Sequence, residues 1–329
     1  MEPRRSGPIL HPMPAPVHRV HLDCDTGIDD ALALAHLLSR PTVDLVSIST
    51  VSGNTTSAQA ATNTLDLLAL ARRVDIPVAV GASDSLVGDY RGGASHVHGG
   101  NGIGDIDLPR ARATVATISG PSQIVRAARE HPGELELIAV GPLTNLAHAL
   151  DLDPDLPTLV KRVTIMGGAV WVPGNITEHA EANIANDPEA AEAVFGSGWP
   201  ITLVPLDVTL HHSIGVDEQR ALAERGTAFH TALAAMLDTY LDYYQRFYGE
   251  RRAALHDPLA SMIALGDSIP SSVRPTALAV DPSAVESRGR TQPAATGGQI
   301  SVVTAVSTPA APDLLRHILA LDSAGEVPA

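Results

Sequence analysis

The chain has one cysteine, Cys24, and one lysine, Lys161, in 329 residues. A single thiol forms no intramolecular disulfide, so the fold must rest on its core and not on a covalent framework. Aromatic residues make up only 3%, so any place where several gather is informative. Positive charge is also short: 22 Lys and Arg stand against 37 Asp and Glu, a formal net charge of −15. That balance gives no electrostatic reason to seek nucleic acid or an anionic membrane, and it suits a small neutral ligand or a bound cation. No run of about 18 apolar residues is present, so no membrane-spanning helix is expected. Residues 1–16 are broken by prolines and carry Arg4 and Arg5. They lack the uninterrupted apolar stretch of a signal peptide and read as a disordered tail, with the protein expected in the cytoplasm.

What remains is a globular composition, 44% hydrophobic and 18% charged, of a length that fits one large domain from residue 17 to 329. Short apolar segments at 17–25, 43–50, 76–81, 134–141, 161–168 and 201–207 read as strands. Helical patterns at 29–39 and 57–73, and after the turn at 141–145, lie between them. This alternation predicts an α/β fold, a mostly parallel central sheet with helices on both faces. Ligands of such sheets sit beyond the carboxyl ends of the strands. The polar clusters of this chain fall at those ends. Two long loops, 82–108 and 169–187, are the kind that usually carry function.

The strongest cluster is DCDTGIDD at 23–30, where Asp23, Asp25, Asp29 and Asp30 crowd one strand-to-helix turn. Carboxylates this close resist joint ionisation, and a divalent cation removes the conflict. All-oxygen donors suit Ca²⁺ or Mg²⁺ better than zinc. Helix capping alone accounts for one or two of these aspartates. The Asp-x-Asp of haloacid-dehalogenase-type phosphatases is a rival reading, but their following Thr is replaced by Gly27. A second motif, His256-Asp257-Pro258-Leu259, opens a helical stretch and is either an ordinary cap or a site. The loop at 174–191 offers Asn175, Glu181 and Asn183, side chains suited to sugar hydroxyls or simply to solvent. Asn54 is a turn residue by type and a ligand contact by position. The aromatics gather at 239–249, with Tyr240, Tyr244 and Tyr248 on one helical face and Tyr243 and Phe247 on another. Such stripes serve either as core or as a stacking wall.

Taken together these motifs resemble the nucleoside hydrolase family, often called inosine-uridine preferring. The signature D-x-D-x-G-x-D-D is present at 23–30. Similar landmarks follow in order: Gly53-Asn54, His98-Gly99 with Asn101-Gly102, Gly141-Pro142-Leu143-Thr144-Asn145, Met166-Gly167-Gly168, Asn175 to Asn183, and His256-Asp257-Pro258. The match runs over about residues 18–320. The resemblance implies calcium held by Asp25, Asp30, Asp257 and a backbone carbonyl, placed on Val140 with Thr144 as the fallback. It implies Asp29 as general base toward water. It implies Asn54, Asn175, Glu181, Asn183 and Asp257 on the ribose, with Met166 beneath the sugar. His98 and His256 would lie near the base, His256 as a candidate leaving-group acid. One departure is Ala182, where purine-tolerant relatives often carry an aromatic.

The reaction so implied is hydrolysis of a ribonucleoside N-glycosidic bond. A non-catalytic nucleoside- or ribose-binding protein on the same fold, or a hydrolase of a modified nucleoside, remains the alternative. Asp29 favours the enzyme, because binding alone does not need it. The expected partners are a small-molecule ribonucleoside and further copies of the chain in a homodimer or homotetramer, since acidic α/β enzymes of this size are commonly symmetric oligomers.

Overall fold

The computed structural model describes residues 17–283 and 285–321. The expected tail at 1–16 lies outside them. Eleven strands occur among these residues: β1 His18–Cys24, β2 Val43–Thr50, β3 Val78–Val80, β4 Leu135–Ala139, β5 Val160–Met166, β6 Ile201–Val204, β7 Ser213–Gly215, β8 Arg252–Ala254, β9 Pro270–Val280, β10 Thr291–Pro293 and β11 Gln299–Val306. Nine form one sheet in the order β10-β9-β11-β6-β5-β4-β1-β2-β3, while β7 and β8 make a separate pair. From β3 to β11 all neighbours are parallel, and β9 and β10 add an antiparallel edge. The parallel strands are apolar and covered by helices on both faces. β4, Leu-Glu-Leu-Ile-Ala, is buried throughout, as a central parallel strand must be.

The sheet grows from β1 in two directions, through β2 and β3 on one side and β4, β5 and β6 on the other. The loops leaving β1 and β4 therefore diverge and open a crevice at the carboxyl ends of those strands. Asp25 stands just past β1, and Val140 just past β4.

Two helices bring further carboxylates to that crevice. The helix Ile28–Leu38 carries Asp29 and Asp30 in its first turn, where they complement the dipole. The helix Asp257–Leu265 begins with Asp257 and ends at Gly266 with φ 76°, a left-handed C-cap that suits glycine. These helices pack together and are tied at their far ends. There His36 Nε2 lies 3.0 Å from the Asp267 carboxylate, which Arg40 Nε also meets at 2.9 Å. Arg40 already neutralises Asp267, so the His36–Asp267–His317 group is a charge-balanced clamp and not a cation site.

Candidate active site

The carboxylates meet beneath the crevice. Asp25, Asp29, Asp30 and Asp257 are all buried, and the last three offer oxygens within 4.8 Å of one another. Asp30 is also a capping residue: it accepts N–H bonds from Gly27 at 2.7 Å and Asp25 at 3.2 Å, and a third bond from Asn54 Nδ2 at 3.1 Å. Asp25 Oδ2 accepts the Asn54 N–H at 2.5 Å. By contrast, Asp25 Oδ1 and Asp29 Oδ1 are buried and have no hydrogen-bond partner. The approach is close enough that a side chain at Gly53 would collide with the Asp25 carboxylate.

The electrostatics carry the same conflict. Burial, and then the charge of Asp30, holds Asp25 well above the usual carboxylate range. Asp30 is pushed up to about 7 by burial and by Asp29. Asp257 is raised well above its ordinary value by burial, then by Asp29, Asp30 and Asp25. Orphaned buried carboxylate oxygens are costly unless something positive meets them. An all-oxygen donor set of this kind fits a hard divalent cation. Asp23, grouped with the others in the sequence, stands apart: it accepts bonds from Ser49 Oγ and from Asn145 Nδ2, the latter at 2.7 Å. It braces β1 against β2 and the Thr144–Leu152 helix.

Above the carboxylates lies a cavity of about 320 Å³. Asp29, Asn54, His98, Val140, Met166, Asn175, Glu181, Asn183, His256 and Asp257 all line it. Asp25 and Asp30, expected as metal ligands, do not. Thr144 is absent from the lining, and its hydroxyl donates to Asp187 at 2.7 Å.

Several lining groups are already partly engaged. Glu181 caps the short helix Ala182–Asn186: Oε1 accepts the Asn183 N–H at 2.9 Å, and Oε2 accepts those of Gly168 and Ile184 at 2.9 and 3.1 Å. A carboxylate has about four lone-pair directions, so one remains for a ligand. Burial raises the Glu181 carboxyl against the lowering effect of these bonds. Asn183 Nδ2 donates to the Val140 and Met166 carbonyls at 2.9 and 3.2 Å, which leaves its oxygen to face other partners. Asn175 Oδ1 accepts the Ala182 N–H at 3.0 Å.

The two histidines are fixed differently. Ile28 N–H donates to His98 Nδ1 at 3.1 Å, so a neutral His98 carries its proton on Nε2. His256 Nδ1 is engaged by Thr209 Oγ1 at 2.9 Å. Burial pushes both rings below the ordinary histidine value.

The aromatic stripe does not divide into two faces with different fates. Tyr240, Tyr243, Tyr244, Phe247 and Tyr248, all from the helix Ala228–Tyr248, line the cavity together. Tyr240 is also a core residue, 1% exposed, with its hydroxyl donating to Asp29 Oδ2 at 3.2 Å. That contact spans 211 residues, and the sequence held no sign of it beyond the i, i+4 tyrosine spacing.

Fold and site together define a doubly wound α/β enzyme with a carboxylate centre at its topological switch point. Comparison with known proteins narrows this. The family model for inosine-uridine preferring nucleoside hydrolases matches residues 20–312. A probable uridine nucleosidase 2 of Arabidopsis thaliana is 38% identical over 252 residues, 76% of this chain and 78% of the relative. A pyrimidine-specific ribonucleoside hydrolase of Citrobacter koseri is 38% identical over 240 residues, 73% of this chain and 76% of the relative. The solved structure of a purine-preferring ribonucleoside hydrolase from Gardnerella vaginalis superposes with a TM-score of 0.88 at 30% identity, over 92% of this chain and 98% of that one. The chain belongs to the inosine-uridine preferring nucleoside hydrolase family and is an N-ribosyl hydrolase. Among the described residues no helix is long and apolar enough to cross a membrane.

Proposed function

We propose that this enzyme is a calcium-dependent ribonucleoside hydrolase that prefers uridine to inosine. The observation that carries the calcium reading is the buried, unpartnered Asp25 Oδ1 beside Asp30 and Asp257, whose oxygens converge with those of Asp29 within 4.8 Å beneath a lined cavity. Asp25, Asp30, Asp257 and the Val140 carbonyl are the residues that would hold the ion. When bound, a divalent cation lowers the pKa of water toward neutrality.

The chain's own residues supply the rest. Asp29 accepts the proton of the attacking water. Asn54, Asn175, Glu181, Asn183 and the cavity-facing oxygen of Asp257 grip the ribose hydroxyls, which fixes the ring for attack. Met166 supports the sugar from below. The fixed carboxylates stabilise the positive charge that grows on the ribose as the bond breaks. At the leaving base, the Nε2–H of His98 is a ready donor, and His256 is the candidate acid.

The uridine preference is supported by relatives of 38% identity named for uridine and pyrimidine substrates. It is also supported by Ala182, a small cavity residue that offers a purine no stacking surface. The chain is read as cytoplasmic, and as a homodimer or homotetramer, an assembly state that light scattering tests. A panel of uridine, cytidine, inosine, adenosine and modified ribosides, read by free ribose release, tests the substrate. Uridine should give the highest kcat/KM, and inosine exceeding it would overturn the preference.

A further inference from the structure

Asp29 has two oxygens in different situations. Oδ2 accepts the Tyr240 hydroxyl at 3.2 Å, while Oδ1 has no partner. A carboxyl rotates over a broad torsion, so an unrestrained Asp29 would turn its plane away and leave neither oxygen aimed at the reaction. The Tyr240 ring cannot easily move to follow it. It is 1% exposed, and it packs edge-on against Tyr244 at 4.9 Å and tilted against His98 at 5.3 Å between ring centroids. A phenylalanine at 240 would provide that packing equally well, so packing does not account for the hydroxyl. A buried hydroxyl with no acceptor would be destabilising; the Asp29 carboxylate accepts from it at 3.2 Å, and the Tyr244 hydroxyl is its other polar neighbour.

We propose that Tyr240 is a positioning residue for the general base. Its O–H holds Asp29 Oδ2 and thereby presents Oδ1 as the oxygen that takes the water proton. The inference rests on the reading of Asp29 as that base. The proton passes from water to Oδ1 while Tyr240 keeps its own hydrogen throughout. Burial and the neighbouring Asp29 charge hold the phenol well above its ordinary pKa, in keeping with a permanent donor.

The test is a double-mutant cycle on the metal-loaded enzyme, using Tyr240→Phe, Asp29→Asn and the pair, with 4-nitrophenyl riboside and uridine as substrates. Tyr240→Phe should lower kcat by about 10-fold to 100-fold, the worth of one hydrogen bond to a charged group. KM should stay within about twofold, and the thermal midpoint should stay near that of the wild type. In the Asp29→Asn background the same change should cost less than about twofold, because the base it positions is gone. Both substrates should lose equally from Tyr240→Phe, since water deprotonation is common to them. Equal losses in both backgrounds, a loss confined to uridine, or full activity of Tyr240→Phe would each overturn the inference while leaving Asp29 as base. Near-normal turnover of Asp29→Asn alone would instead remove the base reading, and the inference with it. Should Tyr240→Phe unfold, the residue's weight is structural and the proposal fails.

Discussion

Glu181→Gln separates the two roles the site gives one carboxylate. In the wild type, Oε1 accepts one backbone N–H and Oε2 accepts two. Glutamine has one oxygen, so its NH₂ must face at least one of these donors. In the better orientation Oε2 is kept and the Asn183 N–H loses its acceptor. A hydrogen bond to a charged group contributes about 1.5–3 kcal/mol and a neutral one about 0.5–1.5 kcal/mol. One bond lost and two weakened therefore cost about 5 kcal/mol. With an unfolding entropy of about 2.1 cal/mol/K per residue over 329 residues, the melting temperature should fall by about 7 °C. Calorimetry reads this directly. The same variant should raise KM for uridine by about tenfold, because the remaining lone-pair direction is proposed to meet a ribose hydroxyl. An unchanged melting temperature would refute the capping geometry. A lowered one with wild-type kinetics would remove Glu181 from ribose binding.

Other consequences follow from the same geometry. 2′-Deoxyuridine should have a kcat/KM lower than uridine by about 10²-fold or more, because the ribose-gripping groups would be left unpaired; equal values would refute the ribose assignments. His256→Ala should cripple uridine hydrolysis and spare 4-nitrophenyl riboside, whose leaving group needs no proton; parallel losses would reassign the acid to His98. His21 is held down to about 3 by burial, whereas the unfolded chain protonates it near 6.5. Its contribution is thus present above pH 6.5 and lost as pH falls toward 3. The stability difference between wild type and His21→Asn should therefore shrink by about 2 kcal/mol between pH 7 and 5 in urea titrations. A constant difference would mean the ring titrates normally.

The parallel half of the sheet was legible because strands buried on both faces are continuous apolar runs and the helices between them are amphipathic. The antiparallel edge was not. β9, Pro-Ser-Ser-Val-Arg-Pro-Thr-Ala-Leu-Ala-Val, is exposed over much of its length and contains two prolines, which read against a strand. The antiparallel pair β7 and β8, of three residues each, are too short to show a period. In the site, the aspartates and amides were visible as motifs, but what each touches was not. Asp23 and Asp25 differ by two positions and point to the same face of a strand pattern, yet Asp23 turns to Ser49 and Asn145 because β1 ends between them. Glu181 and Asp30 were read as ligands, and their backbone capping bonds came from local geometry that spacing alone does not fix. Tyr240 meets Asp29 only through the packing of two helices far apart in sequence.

Calcium in the carboxylate centre is the proposed feature on which hydrolysis would depend most directly. The direct measurement is uridine hydrolysis by exhaustively chelated enzyme, with ion content followed by mass spectrometry and calcium then titrated back. Activity should be lost with the bound ion and recover as one calcium binds per chain, and Asp257→Asn should bind no calcium tightly. Full ribose release from ion-free enzyme would contradict a calcium-dependent reaction.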